Sequence, residues 1–77
     1  MTATRPPHSM AKRSIAISGH RTSVSLEQAF WEELKRLAEA ERCTVNELVT
    51  RIDRERQGNL SSAIRVHILT RLKERTA

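Results

Sequence analysis

Seventy-seven residues with a single cysteine, one Phe, one Trp and no Tyr describe one small domain whose core must be mostly aliphatic. Cys43 alone cannot form an internal disulfide, and with His8, His20 and His67 it shows no metal-ligand spacing, so neither a disulfide framework nor a metal site is expected. The formal charge of +5 is unevenly spread, +4 over residues 1–26, −2 over 27–43, zero over 44–58 and +3 over 59–77, a pattern that suits a polyanionic partner.

Chains this short bury a modest share of their surface, and with no staple present a dimer that pools two half-cores is expected. No apolar run reaches the length of a membrane span and no hydrophobic signal core follows the first basic residues. Together with the free thiol, this gives a cytoplasmic location as the expectation.

Residues 1–11 are polar, contain Pro6-Pro7 and lack an apolar period, so a disordered tail is expected, with the folded domain over 12–77. Two strand-like pieces follow. In Ser14–Ser18, Ile15 and Ile17 share a face. From Arg21 to Leu26 the alternation is clearer, with Thr22, Val24 and Leu26 on one face and Arg21, Ser23 and Ser25 on the other. Gly19-His20 between them has the composition of a turn. The pieces either form a hairpin or the first is an arm leading into the second. The arm is the preferred reading, which leaves one strand over about 20–26.

Helical periodicity begins after Leu26, predicting a helix over about 28–41. Phe30, Leu34, Leu37 and Ala38 form its buried stripe, which Trp31 widens, and Glu27 favours the helix entrance electrostatically without being a preferred cap. Thr44-Val45-Asn46-Glu47 then reads as a capping box opening a helix over about 45–56, with Val45, Leu48, Val49 and Ile52 as its stripe. The polar run ending at Gly58 closes it. Asn59 or Ser61 caps an extra helix over about 61–74. There Leu60, Ile64, Ile68 and Leu72 recur every fourth residue, while Val66 and Leu69 add an apolar front that implies more than one neighbour.

The chain is therefore expected to be mainly α with one short β-strand. A lone strand with one apolar face needs a partner, and the economical one is the same strand of a second copy, antiparallel across a two-fold axis. Such a two-stranded ribbon fits the major groove of double-stranded DNA, and its outward Arg21, Ser23 and Ser25 are suited to base edges. The free amides and dipole at the Thr44 helix start make an anion site. Nothing resembles a catalytic constellation or a phosphate loop, so no enzyme and no cofactor are expected. His67 and Trp31 read as packed residues and Cys43 as a turn residue.

The run His20–Glu27, then Phe30-Trp31-Glu32-Glu33-Leu34, then Thr44–Leu48 resembles the ribbon-helix-helix (Arc/MetJ/CopG-like) family. Lys12–Leu26 with Asn59–Ala63 is similar to a subfamily of short bacterial members with an extra C-terminal helix. The resemblance covers about residues 12–72. It implies an intertwined homodimer with an intermolecular ribbon, acting as a DNA-binding repressor. Base contact falls on Arg21, Ser23 and Ser25. Phosphate contact falls on Thr44, Val45 and Asn46, with Lys12 and Arg13 as further candidates. The shared dimer core falls on Val24 and Leu26 of the strand, Phe30 and Leu34 of the first helix, and Leu48, Val49 and Ile52 of the second. Family members often have Gly where this chain has Arg42, a costly choice if that residue is left-handed. The alternative is a protein-binding adaptor or antitoxin using the same dimer fold, with the third helix as the surface for a protein partner.

Overall fold

The computed structural model describes residues 6–76. Two strands, β1 (Met10–Ile17) and β2 (His20–Glu27), precede three helices, α1 (Gln28–Ala40), α2 (Val45–Glu55) and α3 (Leu60–Thr76). β1 and β2 pair with each other, antiparallel, with Ala11 opposite Leu26, Arg13 opposite Val24 and Ile17 opposite His20. Along one edge β2 is thus paired with β1 of its own chain, and residues 12–19 are a strand and turn instead of an arm. The turn is Ser18-Gly19, one residue earlier than its composition suggested, with φ of 50° and 81°. Positive φ at both central residues matches the right-handed twist of paired strands, which is why two-residue hairpins use it.

This pairing sets Ala11, Ile15 and Ile17 of β1 and Val24 and Leu26 of β2 on the face that meets the helices. α1 contributes Trp31, Leu34, Leu37 and Ala38, α2 contributes Leu48, Val49 and Ile52, and α3 contributes Ile64 and Ile68. Of the residues assigned to a dimer core, Val24, Leu26, Leu34, Leu48, Val49 and Ile52 are buried inside a single chain. Phe30 differs: it is only partly buried, and Trp31 takes the central place, 2 % exposed. The reason is β1, which covers that side of α1 and accepts a 2.9 Å hydrogen bond from the Trp31 indole N–H at the Ala11 carbonyl. A buried indole needs such a partner.

The part of the expected tail that is described also has a place. Glu27 makes no side-chain cap to α1. Instead the Gln28 and Ala29 amides donate to the carbonyls of Ser9 (2.7 Å) and Pro7 (3.0 Å), which satisfies two of the free N–H groups at the helix start. Residues 6–9 are therefore docked and β1 begins at Met10, while residues 1–5 of the expected tail lie outside the described residues. A backbone cap of this kind leaves no apolar period in the sequence. Asn59 caps α3, its side-chain oxygen accepting from the Ser62 amide at 3.2 Å.

Between α1 and α2 the Cys43 amide donates to Ala38 (2.9 Å) and the Arg42 amide to Glu39 (3.1 Å). These are the two bonds of a Schellman ending, with Arg42 in its left-handed position at φ 56°. Arg42→Gly is expected to stabilise the chain by about 1 kcal/mol, since only glycine occupies this region without Cβ strain. Urea titrations of the two proteins check it: a midpoint that stays put or falls would show that the arginine side chain compensates.

His67 of α3 faces α2 with its Nε2 buried and unpartnered. Burial, helped by nearby Arg71, lowers its pKa below the ordinary 6.5, with Glu41 and Glu55 opposing. The unfolded chain then binds the proton more readily than the folded one, so this group costs nothing above pH 6.5 and destabilises the fold as pH drops below it. His67→Leu is expected to flatten that part of the stability–pH curve. Unchanged steepness below pH 6.5 in chemical denaturation would assign the acid sensitivity to other groups.

Candidate nucleic-acid interface

Because side chains alternate across a strand, the register that buries one face of the hairpin fixes what the other face shows. The outer face carries Lys12 opposite Ser25, Ser14 opposite Ser23 and Ala16 opposite Arg21. Five of these six residues are exposed and Ser25 is half-buried. The result is a strip with a cation toward each end, on opposite strands, and three hydroxyls between them. Among the described residues neither Lys12 nor Arg21 makes an ion pair. Arg can donate bidentately to guanine, and a serine hydroxyl can donate to or accept from any base edge. Glu27 ends the strip, and the Arg65 guanidinium neutralises it at 3.0 Å. Its own amide, then Arg65, holds the Glu27 carboxyl below the usual carboxylate range.

The structure thus brings Arg21, Ser23 and Ser25 onto one surface and adds Lys12, Ser14 and Ala16 from β1. A hairpin reading of residues 10–27 would have found the last two, since the turn alone sets the register. Lys12 and Arg13, both candidates for phosphate contact, part company. Lys12 joins the outer strip. Arg13 lies on the opposite face, where its guanidinium sits 5.3 Å from the centre of the Trp31 ring.

That position puts Arg13 next to the start of α2. Arg13, Ser14, Lys35, Val45 and Asn46 line one shallow cleft along the edge of β1. Lys35 was not expected there: it lies outside the apolar stripe of α1, and only packing of α1 and β1 against α2 brings it in. Thr44 caps α2 as its sequence predicts, with Oγ1 accepting from the Glu47 amide (3.0 Å) while the Thr44 amide donates to Glu47 Oε1 (2.8 Å). The Thr44 amide and hydroxyl hold the Glu47 carboxyl below its ordinary range. The capping box engages the third helical amide and leaves those of Val45 and Asn46, which have no partner within the helix. Unpaired N–H groups, a helix dipole and two basic side chains together form an environment suited to an anion.

Other candidate groups lie away from this surface. Cys43 is half-buried in the turn after α1, and its Sγ meets the Arg51 guanidinium, 3.0 Å away. Among the described residues no group of His, Cys, Asp or Glu is arranged to hold a metal ion, and no helix is long and apolar enough to cross a membrane.

The profile of the ribbon-helix-helix domain matches residues 10–72. Proteins with this domain bind DNA, dimerise and act as regulators or antitoxins without being enzymes in the usual case. Among solved structures, the chain is similar to an uncharacterized protein from Bordetella pertussis Tohama I, with a TM-score of 0.73 and 33% identity. The match covers 87% of this chain and 58% of that one, so the chain spans little more than half the length of that relative. No curated protein matches it.

Thr44→Ala is expected to cost about 1 kcal/mol of stability by removing the cap at the Glu47 amide, with Thr44→Ser close to wild type. Thermal or urea unfolding of the three proteins reads this directly. Equal stability of all three would mean that the Glu47 carboxylate alone holds the helix start.

Proposed function

The chain belongs to the ribbon-helix-helix family, and from that membership we propose that it is a cytoplasmic, sequence-specific DNA-binding regulator, a repressor of bacterial type that works as a homodimer. The observation that carries this reading is the outer strip of the hairpin with the α2 start beside it. Two strands about 4.8 Å apart fit a major groove about 12 Å wide. With the strip facing base edges, Arg21, Ser23 and Ser25 read sequence, joined by Lys12 and Ser14. The edge of β1 then runs along one wall of the groove. There the amides of Val45 and Asn46, left free by the Thr44 capping box and flanked by Arg13 and Lys35, take a phosphate. Phosphate contacts of this kind set register and orientation, and base contacts set specificity. Occupying a promoter blocks transcription from it.

Each chain carries a complete ribbon, so a dimer has two to present to successive stretches of duplex. The adaptor or antitoxin reading retains one specific observation of its own, the exposed Val66 and Leu69 on α3.

Fluorescence-anisotropy titration against the DNA upstream of its own gene and a shuffled control, at two salt concentrations, tests the reading. Preference for the upstream fragment that survives physiological salt is the expected result. Weak binding to both that disappears together as salt rises would reduce the strip to a generally basic surface. Arg21→Ala is expected to cost about 1–3 kcal/mol on the preferred site and to relax specificity there. An equal small loss on every sequence would make Arg21 a phosphate contact.

A further inference from the structure

Glu27 is the only acid in the hairpin over residues 10–27. It follows the parity of Arg21, Ser23 and Ser25, and with Met10 opposite it closes the outer strip at the end beyond Lys12. A strip docked along the middle of a major groove about 12 Å wide has a phosphate wall roughly 6 Å away on either side. That is less than the Debye length of about 8 Å at physiological salt, so salt would only partly screen the repulsion of a bare carboxylate there.

The fold does not leave it bare. Arg65, far along the chain on α3, donates from Nε to Glu27 Oε1 at 3.0 Å. The same guanidinium sits 5.8 Å from the centre of the Phe30 ring, so it is held from two sides. As a stabilising contact the pair is modest, since its side chains are 31 % and 33 % exposed and ion pairs of that kind contribute little. Its consequence falls on the outer strip instead. Arg71, farther along α3, carries the same charge but pairs with Glu74 and Glu41, away from the strip.

We propose that Arg65 is a positioning residue for DNA binding: from the third helix it holds the Glu27 carboxylate against α3 and out of the strip's path to the duplex. The proposal rests on the DNA-binding reading above and gives α3 a part in it. A cation that is merely close to DNA acts through its own charge, whatever stands at position 27. A positioning residue acts through Glu27, so its removal matters only while that carboxylate is present to swing onto the strip.

Fluorescence anisotropy of the full chain on the upstream fragment and on a shuffled duplex, at two salt concentrations and with melting curves alongside, reads the difference. Arg65→Gln is expected to weaken binding to both duplexes roughly three- to tenfold at low salt, and Arg71→Gln to weaken it less. Arg65→Lys is expected to bind like wild type. In the Glu27→Gln background the loss from Arg65→Gln is expected to shrink to that of Arg71→Gln. Should Arg65→Gln lower the melting transition, Arg65→Met, which keeps an unbranched stem beside Phe30, makes the same comparison. Equal losses from Arg65→Gln in both backgrounds would make Arg65 only a nearby cation, and a loss no greater than that of Arg71→Gln would reduce it to net charge. Either result overturns the proposal. Wild-type preference for the upstream fragment without coupling between the two residues keeps the regulator reading and removes this one. Coupling on both duplexes without any such preference does the reverse, and no binding to either duplex at low salt overturns both.

Discussion

The pairing of β1 with β2 inside one chain is the constraint from which the rest follows. A solitary β2 would carry an unpaired edge and an apolar face beyond what two short helices can cover. The Ser18-Gly19 turn supplies the missing strand and sets its register. Slippage by one residue would turn Ala11, Ile15 and Ile17 out to solvent and send Lys12 and Ser14 toward the helices. The buried core and the polar outer strip are therefore two consequences of one register. Trp31 reinforces it from the helix side, since its indole N–H finds the Ala11 carbonyl only when β1 lies where it does.

The start of α2 depends on a second local arrangement. The Schellman ending of α1 turns the chain sharply, and Arg42 accepts a left-handed conformation to make that turn. The geometry gained is specific: the capped end of α2 comes to the edge of β1 with Arg13 and Lys35 around it. Thr44 serves the fold by closing the helix. The same capping box leaves the Val45 and Asn46 amides without a partner in the helix, so one feature supports both stability and an anion-binding environment.

α3 stands apart from the other two helices. α1 and α2 each have one apolar stripe and one polar face, and each is satisfied by a single packing surface. α3 has apolar residues around most of its circumference, and one chain has core enough for only part of them. Ile64 and Ile68 are fully enclosed, while Leu60 and Leu72 reach the margin of the core. Val66 and Leu69 remain outside it.

The local features were legible in the sequence because each is written within a few residues. The alternation from Arg21 to Leu26 assigns those residues to two faces, the helical stripes around Leu34 and Ile52 mark what is buried, and Thr44–Glu47 spells out its own cap. The family resemblance rested on the same segments. What the sequence left open was which surfaces meet. Whether β2 pairs with residues 10–17 depends on whether a serine adopts positive φ in a two-residue turn, a strain that only the finished hairpin compensates. Trp31 displaced Phe30 from the core because β1 covers one side of α1 and not the other. Pro7 and Ser9 cap α1 through carbonyls, which every residue possesses and no side-chain pattern announces. Lys35 reaches the α2 start through the packing of α1 and β1 against it. Periodicity determines which face of an element is buried, whereas its partner is chosen by competition among surfaces far apart in the chain, and that choice belongs to the tertiary structure.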